Sequence, residues 1–233
     1  MIDLMILRRK NRESKPYWQH FNYEPQSADE SIASALTALN MSADLRDADG
    51  DPADPIRWEN SCLQKKCGAC AMVINNRPGL ACGTRLSGFK KMVRIEPLRK
   101  FPVIADLIVD RSVLFENLKQ MKLWFEETAR GKDKAMRISY ASSRCLQCGC
   151  CLEVCPNFCP GEQYMGMAAA VPMARILAQL PESQKAEMCD MYYHHIYKGC
   201  GKSLACRDIC PAGIDIDEIL LNSNAIAVWK RFF

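Results

Sequence analysis

Residues 62–70 read Cys62-Leu63-Gln64-Lys65-Lys66-Cys67-Gly68-Ala69-Cys70, and Cys82 follows twelve positions later. The spacing C-x4-C-x2-C is that of a plant-type [2Fe–2S] site, with Cys82 as the fourth thiolate. Gly68 lets backbone N–H groups approach sulfur closely. The competing reading is a four-cysteine structural zinc site. Such sites more often pair two short C-x2-C units, and the iron–sulfur reading is preferred. Outward from this stretch the chain reads as a small mixed α/β unit. Asp3–Arg9 and Trp18–Tyr23 are strand candidates, Ala71–Ala81 is a hairpin turning at Asn75-Asn76-Arg77-Pro78, and Met92–Ile95 is a closing strand. Ser27-Ala28-Asp29-Glu30 fits a capping box ahead of a helix that carries Ile32, Ala35, Leu36 and Leu39 and stops near Asn40. The Asp-rich stretch Met41–Pro55 reads as a loop.

The chain holds fourteen cysteines in 233 residues, in two blocks separated by sixty-two residues without one. Only three histidines are present, so mixed Cys/His zinc sites are disfavoured. The second block contains Cys145-x2-Cys148-x2-Cys151-x3-Cys155-Pro156, the bacterial ferredoxin run, whose fourth cysteine ligates the other cluster when two are present. Cys200-x2-Ser203-x2-Cys206-x3-Cys210-Pro211 repeats the spacing with serine in the second position. Crossing the fourth ligands gives Cys145, Cys148, Cys151 and Cys210 for a [4Fe–4S] cluster. Cys155, Cys200 and Cys206 remain, three thiolates that suit a [3Fe–4S] cluster, with Ser203 a poor ligand while neutral. Cys150 and Cys189 are expected to be small buried hydrophobes. Cys159 sits in Asn157-Phe158-Cys159-Pro160-Gly161, which resembles an exposed turn.

A boundary is expected where Glu96-Pro97-Leu98-Arg99-Lys100-Phe101-Pro102 combines prolines with charge, dividing the chain into 1–100 and 101–233. Beyond it the pattern is helical. Leu114, Phe115, Leu118, Met121 and Phe125 form a core-facing stripe, Gly131–Arg137 is a basic loop, and Gln163–Leu180, Gln184–Tyr197 and Asp217–Arg231 are helix candidates. Pro172 is expected to kink or interrupt the first of these.

Hydrophobic residues at 48% and charged residues at 25% describe a folded chain, not a disordered one. No apolar run approaches the roughly 18–20 residues needed to span a bilayer. The apolar start Met1–Leu7 is short and its charges follow instead of preceding it, so no signal peptide is expected. The formal charge of +4 counts thiols as neutral. Each loaded cluster with its thiolates adds roughly −2, which brings the loaded chain to about −2. Nucleic acid is therefore not an expected partner.

The three motifs in this order resemble the iron–sulfur subunits of succinate dehydrogenase and fumarate reductase. The likeness extends to Arg94-Ile95-Glu96-Pro97, Phe101-Pro102-Val103-Ile104-Ala105-Asp106-Leu107, Val109-Asp110-Arg111-Ser112 and Pro211-Ala212-Gly213-Ile214. The resemblance implies an α+β chain, with an N-terminal β-grasp ferredoxin-like domain and a C-terminal α-helical ferredoxin domain. It implies [2Fe–2S] on Cys62, Cys67, Cys70 and Cys82, with [4Fe–4S] and [3Fe–4S] on the two sets already named. It further implies an FAD-bearing flavoprotein partner, a membrane anchor, and a peripheral place on the cytoplasmic face of the membrane. This chain would relay single electrons, since it shows no acid, base or nucleophile arranged for dicarboxylate chemistry.

One departure concerns the exit. Members that reduce ubiquinone carry a tryptophan pair after the cysteine-proline and a histidine after the next cluster cysteine. Here Pro156 precedes Asn157-Phe158-Cys159, and Cys200 precedes Gly201. Together with Tyr164-Met165-Gly166 this resembles the branch that uses menaquinone and a haem b cytochrome anchor. The alternative is that Phe158 or Lys202 rebuilds a quinone pocket. Two-run iron–sulfur subunits of glycerol-3-phosphate, glycolate or heterodisulfide systems are disfavoured by Ser203 and by the N-terminal motif. A free ferredoxin carrier is disfavoured by the two domains and their apolar helices.

Overall fold

Ile2, Leu4 and Ile6 alternate with half-buried neighbours and face one core, so Ile2–Arg8 forms strand β1 with one side inward. It pairs antiparallel with β2 (Tyr17–Tyr23) and parallel with β5 (Met92–Glu96). The hairpin β3 (Ala71–Ile74) and β4 (Arg77–Leu80) completes a five-stranded sheet through antiparallel β3–β5 pairing, in the order β2-β1-β5-β3-β4. Its two-residue turn holds Asn75 at φ +47° and Asn76 at φ +64°, the left-handed pair that matches strand twist. β5, expected to close the sheet, runs through its middle, with Val93 and Ile95 fully buried. Helix α1 (Ile32–Met41) buries Ile32, Ala33, Ala35 and Leu36. The arrangement is a β-grasp.

The cap of α1 differs from expectation. Ser31 accepts the Ser34 N–H at 3.1 Å and Ser34 Oγ accepts the Ser31 N–H at 3.4 Å. The carboxylate of Glu30 is engaged elsewhere, taking the Tyr23 hydroxyl at 3.0 Å and the Gln26 N–H at 3.2 Å.

The computed structural model describes residues 1–124, 133–181 and 185–229, and separates into Met1–Asp110 and Arg111–Phe233. The division thus falls ten residues beyond the expected one. The reason is the small hairpin β6 (Val103–Ala105) and β7 (Ile108–Val109), whose turn carries Asp106. This carboxylate is 2% exposed. It meets Arg8 Nε at 3.1 Å and Nη2 at 3.2 Å, and accepts the N–H groups of Arg9 and Arg57, both at 2.9 Å. Arg8 in turn donates to Gln19 Oε1 and to the carbonyls of Asp54 and Pro55. The Asp106 carboxylate thus fastens the hairpin to β1.

The second unit is helical: α2 (Ser112–Gln120), α3 (Asp133–Ser143), α4 (Cys150–Glu153), α5 (Met167–Gln179), α6 (Lys185–Tyr192), α7 (Ala205–Ile209) and α8 (Ile216–Ala227). A π turn, Tyr193–Tyr197, extends α6. The small and apolar residues of α5 are almost all buried, and it packs on α3, α6 and α8. The stripe expected on α2 is only partly inward: Leu114 and Met121 are buried, as is Asn117, but Phe115 is 61% exposed. Helix α3 begins at Asp133, so the expected basic loop is helical from that residue on. Phe125, Gly131, Gln184 and Arg231 lie outside the described residues. Pro172 sits inside α5 without ending it. Among the described residues, no helix is long and apolar enough to cross a membrane.

Candidate cluster-binding loops

In the first unit, residues 62–70 wind through left-handed conformations at Leu63 (φ +53°), Lys65 (φ +61°) and Gly68 (φ +77°). These reversals turn amide groups inward. The N–H groups of Gln64 and Lys66 both donate to Cys62 Sγ at 3.3 Å, and that of Lys65 donates to Cys82 Sγ at 3.3 Å. The Gln64 and Lys66 amides, with the Cys67 thiol, lower the Cys62 thiol to about 7. Burial raises Cys70 to about 12, and the neighbouring Cys82 and Cys67 sulfurs add to it. Cys70 Sγ stands 3.3 Å from Cys82 Sγ. The loop therefore brings together all four cysteines expected there. Its backbone donors aim at sulfur, where iron-bound thiolates carry negative charge, so the residues fit such a group. Sequence reasoning assigned the close approach to Gly68. The amides of residues 64–66 are donors to sulfur as well.

In the second unit, residues 145–149 reverse at Gln147 (φ +50°) and Gly149 (φ +87°) and lead into α4. Cys145, Cys148, Cys151, Cys206 and Cys210 line one cavity, walled by Met167, Val171, Ile214 and Ile216. The cysteines fall into two groups by which sulfurs lie close enough to act on one another. Burial raises Cys145 to about 11, reinforced by Cys148 and Cys210. Cys151 is pushed up by burial and then by Cys148, Cys145, Cys206 and Cys210. Burial likewise raises Cys206 to about 11, and its sulfur neighbours are Cys155 and Cys200. One group is thus Cys145, Cys148, Cys151, Cys206 and Cys210, which share the cavity. The other is Cys155, Cys200 and Cys206, so that Cys206 belongs to both. Among the described residues, no three ligand side chains gather tightly enough for a single ion. In three- and four-iron clusters each thiolate binds its own iron, so sulfurs spread wider than around a single ion are compatible with such a group.

Tyr164 belongs to the second group. Its hydroxyl stands 3.9 Å from Cys155 Sγ. Burial raises it strongly, and Cys200 and Cys155 add to the shift. Gly199 makes the packing possible: a Cβ there would lie 2.5 Å from the Tyr164 ring. Asn157 donates to the Gly199 carbonyl at 2.7 Å, which ties the segment after Pro156 to the one before Cys200. Ser203 is exposed.

The spare cysteines divide. Cys189 is buried, with its thiol 3.9 Å from the Ile226 carbonyl, and Cys159 is exposed. Cys150 is fully buried, but it is more than a filler: its thiol donates toward Cys148 and is the largest influence lowering Cys148 to about 7. An open cavity lies at Tyr164, lined by Asn157, Cys159, Glu162, Gln163, Tyr164, His194, Lys198 and Gly199. Phe158 is 1% exposed and Lys202 rests over the Tyr197 ring, so neither lines it.

Comparison with known proteins adds the following. Residues 3–116 match a 2Fe-2S iron-sulfur cluster binding domain. The succinate dehydrogenase iron-sulfur subunit of Bacillus subtilis is 30% identical over 250 residues, covering 100% of this chain and 96% of that one. The fumarate reductase iron-sulfur subunit of Wolinella succinogenes is 27% identical over 221 residues, covering 88% and 87%. A chain of the Mycobacterium smegmatis Sdh1 complex superposes with a TM-score of 0.77 at 23% identity, over 100% of this chain and 97% of that one.

Proposed function

This chain belongs to the family of succinate dehydrogenase and fumarate reductase iron–sulfur subunits, and from that premise we propose that it relays single electrons between the FAD of a flavoprotein partner and a membrane anchor. The observation that supports the reading is the gathering of cysteines at two places, Cys62, Cys67, Cys70 and Cys82 in a loop whose amides aim at sulfur, and Cys145, Cys148, Cys151, Cys206 and Cys210 around one apolar-walled cavity. Bound clusters would supply one-electron redox centres. Cys62, Cys67, Cys70 and Cys82 hold [2Fe–2S]; Cys145, Cys148, Cys151 and Cys210 hold [4Fe–4S]; Cys155, Cys200 and Cys206 hold [3Fe–4S]. The amides of Gln64, Lys65 and Lys66 stabilise thiolate charge at the first site. Met167, Val171, Ile214 and Ile216 wall the cavity of Cys145, Cys148, Cys151 and Cys210 with apolar surface, and burial is one of the factors that set potential. Dicarboxylate chemistry falls to the flavoprotein.

The test is the metal and sulfide content of the purified chain with its redox spectrum. We expect about nine irons per chain and an EPR signal from the three-iron site in the oxidised state. Stoichiometric zinc, or an EPR-silent oxidised protein, would defeat the reading.

For the electron exit we propose a haem b cytochrome anchor working with menaquinone, at the end that carries Cys155, Cys200 and Cys206. The cavity beside Tyr164 and Asn157 favours a second reading, in which this subunit itself lines a quinone site. Isolation of the complex separates them. Haem and menaquinone co-purifying with the anchor support the first. A quinone photo-crosslinking to Asn157 or Tyr164, in a complex without haem, supports the second.

A further inference from the structure

Pro172 lacks an N–H and stands in the interior of α5, so the carbonyl of Ala168, four residues earlier, loses its helical donor. Such a carbonyl needs another donor when buried. Gln147 supplies it from outside the helix: its Nε2 lies 2.9 Å from the Ala168 oxygen. The same nitrogen lies 3.3 Å from Cys145 Sγ. One amide therefore links the gap in α5 to a thiolate of the loop.

Three further features fix this arrangement. Turning the amide over would set its oxygen against both a carbonyl and a thiolate, so the chemistry of the neighbours decides the orientation. Gln147 Oε1 is buried with no hydrogen-bond partner, a cost that the Nε2 contacts must offset. The backbone of Gln147 holds φ +50°, a left-handed conformation that residues with a Cβ rarely adopt. Backbone strain of this kind persists where the surroundings over-determine it, and it clusters at functional sites.

We infer that Gln147 is a positioning residue that raises the reduction potential of the cluster held by Cys145, Cys148, Cys151 and Cys210, and that Pro172 directs it there by leaving Ala168 without a donor. The inference rests on the cluster reading proposed above. An N–H aimed at a ligating sulfur favours the more negative, reduced state, and hydrogen bonds to sulfur are among the factors that set these potentials.

The test uses the full chain with its clusters, an EPR-monitored redox titration and thermal unfolding. Gln147→Leu should lower the [4Fe–4S] midpoint and leave the [2Fe–2S] and [3Fe–4S] midpoints in place. It should also lower the melting temperature, because Ala168 loses its donor. Adding Pro172→Ala returns an N–H to the helix. The double variant should recover the melting temperature and keep the lowered midpoint, which a purely structural role would not do. An unchanged [4Fe–4S] midpoint in Gln147→Leu, or a midpoint that recovers with Pro172→Ala, overturns the inference. So does a double variant that folds but cannot retain the cluster, since setting a potential is not a condition of assembly. A wild-type chain with no [4Fe–4S] signal defeats the underlying cluster reading instead, and is seen before any variant is made.

Discussion

Ser203 stands where the second ferredoxin run has its missing cysteine, and it is exposed next to the left-handed residues Lys202 and Leu204. Ser203→Cys should supply a fourth thiolate to Cys155, Cys200 and Cys206. The expected result is loss of the oxidised three-iron EPR signal, about one more iron per chain, and a lower midpoint for that site. A signal that persists unchanged would show that position 203 does not face the open corner. Gly199 acts through its neighbour. A methyl group at 2.5 Å from the Tyr164 ring has no room, so Gly199→Ala must displace the ring from Cys155 and Cys200. Its three-iron midpoint should move in the same direction as that of Tyr164→Phe, downward, since both remove the hydroxyl from sulfur. Neither effect is visible from cysteine spacing, because Gly199 and Tyr164 are thirty-five residues apart and meet only in space.

Among the elements, the β6–β7 hairpin shows how a buried charge can fix a chain division. Arg8 and Asp106 are each about 2% exposed on their side chains, and every neighbour of Asp106 named above is a donor. Removing one partner leaves the other buried and uncompensated. Asp106→Ala should therefore cost about 3–5 kcal/mol of stability, measured by urea unfolding of the first unit. Replacing both, as Arg8→Met with Asp106→Leu, should cost less than the single change, because no orphaned charge remains. Gly166 controls the entry to α5 in a similar way. It sits at φ +70°, and a Cβ would lie 2.3 Å from Leu152 of α4. Gly166→Ala combines backbone strain with overpacking and should lower stability by about 1–3 kcal/mol or more in thermal unfolding. The composition-based linker at 96–102 missed this coupling. Proline and charge mark many boundaries, but here Glu96 and Asp106 are both buried and paired with arginine.

At the scale of the molecule the two units should depend on iron differently. The first has a sheet with its own core, from Leu4, Ile6 and Phe21 to Val93 and Ile95. In the second, partly buried Cys145, Cys151, Cys200, Cys206 and Cys210 pack directly against the core formed by α5, α6 and α8. Chelation of iron should therefore raise amide exchange at residues 145–155 and 200–210 well before it affects β1, β3 and β5. Equal loss of protection in the two units would count against this. The sequence by itself determined the strands, because Ile2, Leu4 and Ile6 alternate, and it is the source of the proposed ligand sets, because short spacings leave few ways for thiolates to converge. It also carried the helical character of α5, where small and apolar residues recur over thirteen positions. Only the tertiary structure decided which strand lies in the middle of the sheet, where the first unit ends, and that Phe115 faces outward. It alone showed what the proline in α5 does. These depend on partners far away in the chain: Arg8 for Asp106, Tyr164 for Gly199, and Gln147 for the carbonyl that Pro172 leaves unpaired. Periodicity and spacing report only what a residue's near neighbours require. A buried charge, a close glycine contact or an unpaired carbonyl is satisfied wherever the fold happens to bring a partner within hydrogen-bonding or van der Waals reach.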